Sequence, residues 1–234
     1  MNEKKLVFDI ETFKNPNLHD DYMEWKLGDL VNKTLKDPIK IKADMEKKSG
    51  KFALDARTGQ IIHIGCLFVN VGEILLPENT PVLETELAGN PVKKVEFRLN
   101  DYDSEKAMLL AFLPAFFKAI DEGTQLISFG GKRFDIPYIR ERAILNYIAN
   151  PGIVRLSQLT YQYENQLHCD LENFVSGGGL AEWNYLLTGE GSPQNDGANI
   201  GTYYLEGDYD VIAMKCEQDL VRTYKFFKGA ESWL

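Results

Sequence analysis

A chain of 234 residues with 44% hydrophobic content can bury a sizeable core, so one large domain, or one domain carrying an insertion, is the expected organisation. No stretch approaches the roughly 18 uninterrupted apolar residues of a membrane span, and the Met-Asn-Glu-Lys-Lys start lacks the apolar core of a secretory signal, so a soluble, cytoplasmic protein without a membrane partner is expected. Cys66, Cys169 and Cys216 are too far apart for a disulfide framework or a zinc site, His19, His63 and His168 are equally scattered, and a net charge of -9 argues against binding nucleic acid through bulk positive charge.

The first element is an apolar strand, Leu6 to Thr12, that ends in two carboxylates. Residues two apart on a strand share a face, so Asp9 and Glu11 stand side by side, an arrangement that repels unless a divalent cation bridges it. A strand that simply runs out into solvent accounts for the pair equally well. An irregular or helical excursion follows to about residue 51, and residues 33 to 51 carry seven lysines against Asp37, Asp44 and Glu46. A solvated helical face and a phosphate-tracking arm are both compatible with that run.

Gln60 to Asn70 reads as a central strand, with further strands at Glu73 to Leu76 and Val92 to Leu99 and turn signals Asn-Thr-Pro and Gly-Asn-Pro between them. Asp103 reads as the cap of a helix through about Ile120, although Lys106 leaves the capping box incomplete. A short buried strand, Thr124 to Ser128, breaks at Gly130-Gly131, and a helix runs from about Ile136 to Tyr147. In this second cluster the glycines permit a tight turn or close approach to a ligand, and Asp135 stands at the helix mouth. It is also an ordinary helix-start residue, and Pro137 suits the first turn.

The last element is a long helix, about Tyr209 to Lys228, with apolar residues at Ile212, Leu220, Tyr224 and Phe227. Lys215 and Asp219 lie four apart on one face, the spacing of a helix ion pair. Antiparallel strands followed by strand and helix alternation predict a mixed sheet with helices on both faces.

In this order the three clusters resemble the DEDD, or DnaQ-like, superfamily of 3′-to-5′ exonucleases, an α/β class with an RNase H-like fold. Asp9 and Glu11 match its Asp-x-Glu strand, Phe129 to Asp135 match its strand, turn and Phe-Asp in outline, and Asp219 matches the Asp of its last helix. Leu54 to Ile61, Cys169-Asp170-Leu171, the glycine run 177 to 179 and a helix from Leu180 to Gly189 resemble the branch likened to the proofreading domain of family B polymerases. The resemblance thus covers nearly the whole chain as one exonuclease domain with a Lys-rich insertion at about 14 to 52.

The resemblance implies that Asp9, Glu11, Asp135 and Asp219 hold two divalent cations, Mg²⁺ or Mn²⁺, about 4 Å apart, with Asp9 bridging. It implies nucleic-acid 3′ ends as the partner, single-stranded DNA first and RNA left open, and substrate contacts at Thr12, Phe13, Gly131 and Phe134. Either phenylalanine can stack on the last base or serve as plain core. No protein partner is identified, and no polymerase domain is expected within the 234 residues.

Two positions depart from the family. Its tyrosine branch has a water-activating Tyr four residues before the last Asp, and other members a His five before; here these are Lys215 and Met214. A lysine with an ordinary pKa of about 10.4 is protonated at neutral pH and is no general base. Lys215 can instead donate to the scissile phosphate, or pair with Asp219 and mark a weakened nuclease that binds without cutting. Gly130 stands where the family has Asn, so one polar contact is absent.

Overall fold

The protein is described here from a computed structural model covering residues 4–78, 80–190 and 199–231. Its first strand, β1 (Lys5–Lys14), alternates its side chains between two cores. Leu6, Phe8 and Ile10 join one cluster, and Val7 joins another on the opposite face. The same alternation sends Asp9 and Glu11 to the side of Val7.

Around β1 the chain builds a six-stranded sheet in the order β3-β4-β2-β1-β5-β6. β2 (Gly59–Val69), β3 (Val82–Leu87) and β4 (Asn90–Arg98) continue from β1 by antiparallel pairing, whereas β5 (Gln125–Ser128) and β6 (His168–Asp170) add in parallel on its other side. This is the expected RNase H-like mixed sheet, antiparallel through its first four strands and parallel after them.

One face of the sheet is covered by α3 (Glu105–Asp121) and α4 (Asp135–Leu145), through Phe112, Phe116, Ile136 and Ile139. The other is covered by α8 (Tyr209–Ala230), through Cys216, Leu220 and Tyr224. Between β1 and β2 the chain forms α1 (Asp20–Leu30) and α2 (Pro38–Ser49), neither of which buries a residue. Asp37 caps α2 by accepting a hydrogen bond from the Ile39 amide at 3.0 Å, and Pro38 fits the first turn. α5 (Gly152–Arg155), α6 (Leu180–Thr188) and α7 (Ile200–Glu206) complete the helices of the described residues. None of these helices is long and apolar enough to cross a membrane.

Two sequence expectations are corrected. Glu73 to Leu76 forms no strand: Ile74 and Leu76 lie partly buried against the core, and the edge strand is β3 instead. The hairpin is set by Ala88 and Gly89, whose φ angles of 49° and 74° make the two-residue turn that suits strand twist. The cap of α3 is Ser104, whose Oγ accepts from the Ala107 amide at 3.2 Å, one residue after the expected Asp103. The short helices α5 and α7 were not expected, being too brief to show a helical period.

A buried ion pair ties the face of α3 and α4 to the entry of β2. Arg142 on α4 donates through Nε to both Glu105 oxygens at 2.9 and 3.0 Å, and Glu105 also accepts from the Ile61 amide at 2.7 Å. Arg142 further donates to the Ala56 carbonyl, and the Tyr138 hydroxyl to that of Ala53, each at 2.8 Å. Removing one partner leaves an uncompensated buried charge. Arg142→Leu is therefore expected to cost about 3–5 kcal/mol in urea unfolding, and the double variant with Glu105→Leu to recover part of that loss.

Candidate active site

Asp9, Glu11 and Asp219 meet where α8 crosses β1. One carboxylate oxygen from each lies within 4.8 Å of the others, and all three residues are half-buried. The crossing is close because of Gly65, which sits opposite Asp9 in the strand register. A Cβ at Gly65 would stand 2.6 Å from the Cys216 sulfur and 2.8 Å from Leu220 Cδ1. The missing methyl lets α8 rest on the sheet backbone, and Asp219 descends beside Asp9. Just beyond, the register skips Ile62 between Glu11 and Thr12, a bulge of the kind that re-aims side chains at strand ends.

Asp135 approaches from the other face; it lies outside the group of three oxygens within 4.8 Å, but its charge acts on both Asp9 and Glu11. It is the first residue of α4, 4% exposed, and its Oδ1 accepts from the Ile10 amide at 3.3 Å. The turn that delivers it carries Gly130 at φ 84°. Gly131 follows, where a Cβ would meet Ser128 Oγ at 2.5 Å and Asp135 Oδ2 at 3.1 Å. Gly131 therefore permits close approach of the chain's own side chains and does not line the neighbouring cleft. Asp170, fully buried at the end of β6, accepts from the Gly130 amide at 2.6 Å and the Lys132 amide at 2.9 Å. Sequence reasoning did not assign Asp170 to the site. Its local signal is only a carboxylate at a strand end.

Assembling these groups has an electrostatic cost. Burial, then the charges of Asp135, Glu11 and Asp219, hold the Asp9 carboxyl well above the usual carboxylate range. Glu11 is pushed up to about 8 by burial and by Asp219 and Asp135, against the pull of Lys215. Asp135 rises to about 7, chiefly through burial. Asp219 also rises by burial, while Arg222, paired with it at 2.8 Å, and Lys215 oppose the shift.

Lys215 lies one turn before Asp219 with its ammonium 5.4 Å from the centre of the Tyr203 ring, a contact from α7 that the sequence did not announce. Beside Glu11 opens a cleft of about 710 Å³ lined by Thr12, Phe13 and Phe134, with Ile200 and Gly201 of α7 on one wall and Glu46 and Ser49 of α2 on another. Phe13 packs against Tyr204 at 4.8 Å and Phe134 against Tyr138 at 5.3 Å. Each phenylalanine has a ring partner and also fronts the cleft.

A mixed sheet whose central strand presents two carboxylates to a third on the last helix is the framework of an RNase H-like exonuclease. Residues 85–232 match a family described as a predicted 3′-5′ exonuclease related to the exonuclease domain of PolB, and the chain belongs to that family. The matched span includes Asp135, Lys215 and Asp219 and begins after Asp9 and Glu11. No curated protein matches the chain.

The raised carboxyl pKa values set a direction for stability. The folded state retains protons that the unfolded chain releases, so metal-free stability is expected to fall as pH rises from about 5 through 8. Neutralising one member, as in Asp219→Asn, should raise the metal-free melting temperature at pH 8, by about 2–4 °C for each kcal/mol of repulsion removed. Mn²⁺ should raise the wild-type melting temperature more at pH 8 than at pH 5.5, because it competes with bound protons. Thermal melts with and without chelator check all three outcomes.

Proposed function

We propose that this chain hydrolyses the terminal phosphodiester of single-stranded or frayed nucleic acid from the 3′ end, releasing nucleoside monophosphates. The observation that carries this reading is the convergence of Asp9, Glu11 and Asp219 oxygens within 4.8 Å, beside a cleft lined by aromatic rings, in a member of an exonuclease family.

The donor set fits hard divalent cations. All four groups offer carboxylate oxygens whose proton affinities are raised by burial, and at Asp9 and Glu11 also by neighbouring carboxylates, a cost that bound cations would relieve. Asp9, Glu11, Asp135 and Asp219 are the residues that would hold divalent cations, Mg²⁺ or Mn²⁺. When bound, such ions offset the charge that develops at the phosphoryl oxygens and lower the pKa of an attacking water.

The remaining roles belong to the chain. The cleft falls within the 300–1,000 Å³ range of small-ligand sites, and Phe13 and Phe134 can hold the terminal base. Thr12, on the rim beside Glu11, can donate its hydroxyl to the sugar or phosphate. Gly131 acts behind Asp135 and not on substrate. The Lys215 ammonium, over the Tyr203 ring and close enough for its charge to act on Glu11 and Asp219, donates to a non-bridging oxygen of the scissile phosphate. In the reaction the oxygen of water bonds to phosphorus, the bond from phosphorus to O3′ breaks, and the new 3′ end leaves as a protonated hydroxyl.

Purified protein with Mn²⁺ is expected to release mononucleotides from single-stranded DNA or RNA labelled at the 3′ end. Asp9→Ala and Asp219→Asn should lower that rate by at least the 10²–10³-fold typical of losing one preorganised electrostatic group. Lys215→Ala is expected to reduce kcat more than it raises KM. The identity of residue 215 favours one rival, a nucleic-acid-binding module whose chemistry has been weakened. A wild type that releases nothing, combined with a Lys215→Tyr variant that gains activity, would select the rival.

A further inference from the structure

A lysine carries its ammonium on a flexible four-carbon stem, so the charge acts at one point only if something fixes it there. Lys215 is half-buried on α8, and its charge acts on both Glu11 and Asp219. Residues four apart on a helix ordinarily settle as an ion pair. Here Arg222 donates to Asp219 Oδ1 at 2.8 Å, and the Lys215 ammonium lies over the Tyr203 ring, 5.4 Å from its centre. That separation is inside the range of about 6 Å in which the face of an aromatic ring attracts a cation.

The ring is itself held from behind. Ile200, Tyr203 and Tyr204 share one side of α7, as spacings of three and four residues require, and they pack with Ile62 of β2 and Ile212 of α8. Ile212 precedes Lys215 by three residues, so the cluster that seats Tyr203 lies one helical turn from the ammonium that the ring faces. The joint between the two helices is short. Gly207 turns the chain at φ 80°, the Asp208 amide donates to the Tyr203 carbonyl at 2.9 Å, and α8 begins at Tyr209. Backbone and core therefore fix the ring relative to α8.

α7 also serves the cleft. Its residues Ile200, Gly201, Thr202 and Leu205 line the space beside Glu11, and Tyr203 lies outside that lining. Tyr203 thus acts on the site through Lys215 and not by touching what fills the cleft.

We infer that Tyr203 is the positioning residue for Lys215, its ring face fixing the ammonium at the acidic centre so that it meets the anionic oxygens of the scissile phosphate. The place of the ammonium stands on the ring contact, whereas its use on a phosphate rests on the exonuclease reading. The attraction comes from the quadrupole of the aromatic face and not from the hydroxyl. Phenylalanine at this position therefore preserves the function, and leucine, apolar but without a ring, does not.

The contact can be read without turnover, by NMR of metal-free protein carrying ¹³C-labelled lysine. An aromatic face displaces the signals of groups above it upfield, so the ε-methylene signal that disappears in Lys215→Arg is expected upfield of most lysines. Lys5, which lies over the Phe227 ring, is an internal reference that should not move. Tyr203→Phe should keep the Lys215 displacement and Tyr203→Leu should abolish it. With Mn²⁺ and single-stranded DNA labelled at the 3′ end, Tyr203→Leu is expected to lower kcat about 5- to 30-fold and leave KM within about twofold, while Tyr203→Phe stays within about twofold in both. Pentafluorophenylalanine at position 203 keeps the ring's shape and reverses its quadrupole, so it should lower kcat as leucine does. In a Lys215→Ala background, Tyr203→Leu should change kcat by less than about twofold, because the group it positions is gone. A Lys215 signal that Tyr203→Leu leaves in place would overturn the inference, as would an unchanged kcat in that variant. So would equal losses with and without Lys215, the mark of a merely structural role. A displacement that is lost with the ring, in a wild type that releases no nucleotides, would sink the exonuclease reading and leave Tyr203 as the residue that places Lys215.

Discussion

The acidic centre depends on how closely α8 can approach the sheet. A helix normally rides on side chains, but at Gly65 there is none, and Cys216 and Leu220 occupy the space a methyl group would need. This brings Asp219 down to Asp9 and Glu11, and the oxygen distances within 4.8 Å follow. Apolar contacts through Leu220, Tyr224 and Phe227 hold α8 in place against the mutual repulsion of the carboxylates. Burial itself leads the causes that raise all four carboxyl pKa values, because desolvation penalises each charged form, and like-charge repulsion adds to it at Asp9 and Glu11.

Polar contacts of the backbone position the fourth carboxylate. Asp170 binds the amides of Gly130 and Lys132, and the Ile10 amide binds Asp135, so β6, the glycine turn and β1 are joined at one place. Beneath them Ser128 Oγ lies 2.7 Å from His168 Nε2, and burial lowers the His168 pKa to about 4. The imidazole is therefore neutral at physiological pH. It serves as a hydrogen-bonding strut between Ser128 and the Leu159 carbonyl.

The distribution of charge resolves the apparent conflict between a net charge of -9 and a nucleic-acid partner. Negative charge is concentrated at Asp9, Glu11 and Asp219, where divalent cations would offset it, and the cleft beside them carries both Lys14 and Glu46. Net charge averages over the whole chain and does not describe this site. Elsewhere acids and bases are largely matched, as in the strip of Lys94, Glu96 and Arg98 on β4 that faces Glu217 and Asp210 of α8.

Much of the frame is legible in the amino-acid order alone. The period of two around Asp9 and Glu11, the Gly-Gly break before Asp135 and the apolar stripe of α8 each follow from local backbone geometry, which is why the mixed sheet and the long helix can be read directly. The same order misplaces the edge strand, because β3 depends on the positive φ angles of Ala88 and Gly89 and alanine does not advertise such a turn. It also gives no hint that Asp170 anchors the glycine turn, that Tyr203 lies against Lys215 or that Glu105 accepts from the Ile61 amide, since these contacts join residues distant in the chain. The sequence by itself determined which carboxylates exist and which strand and helices carry them. Only the tertiary structure decided that they meet, because their distance is set by a missing methyl at Gly65 and by packing that no local pattern encodes.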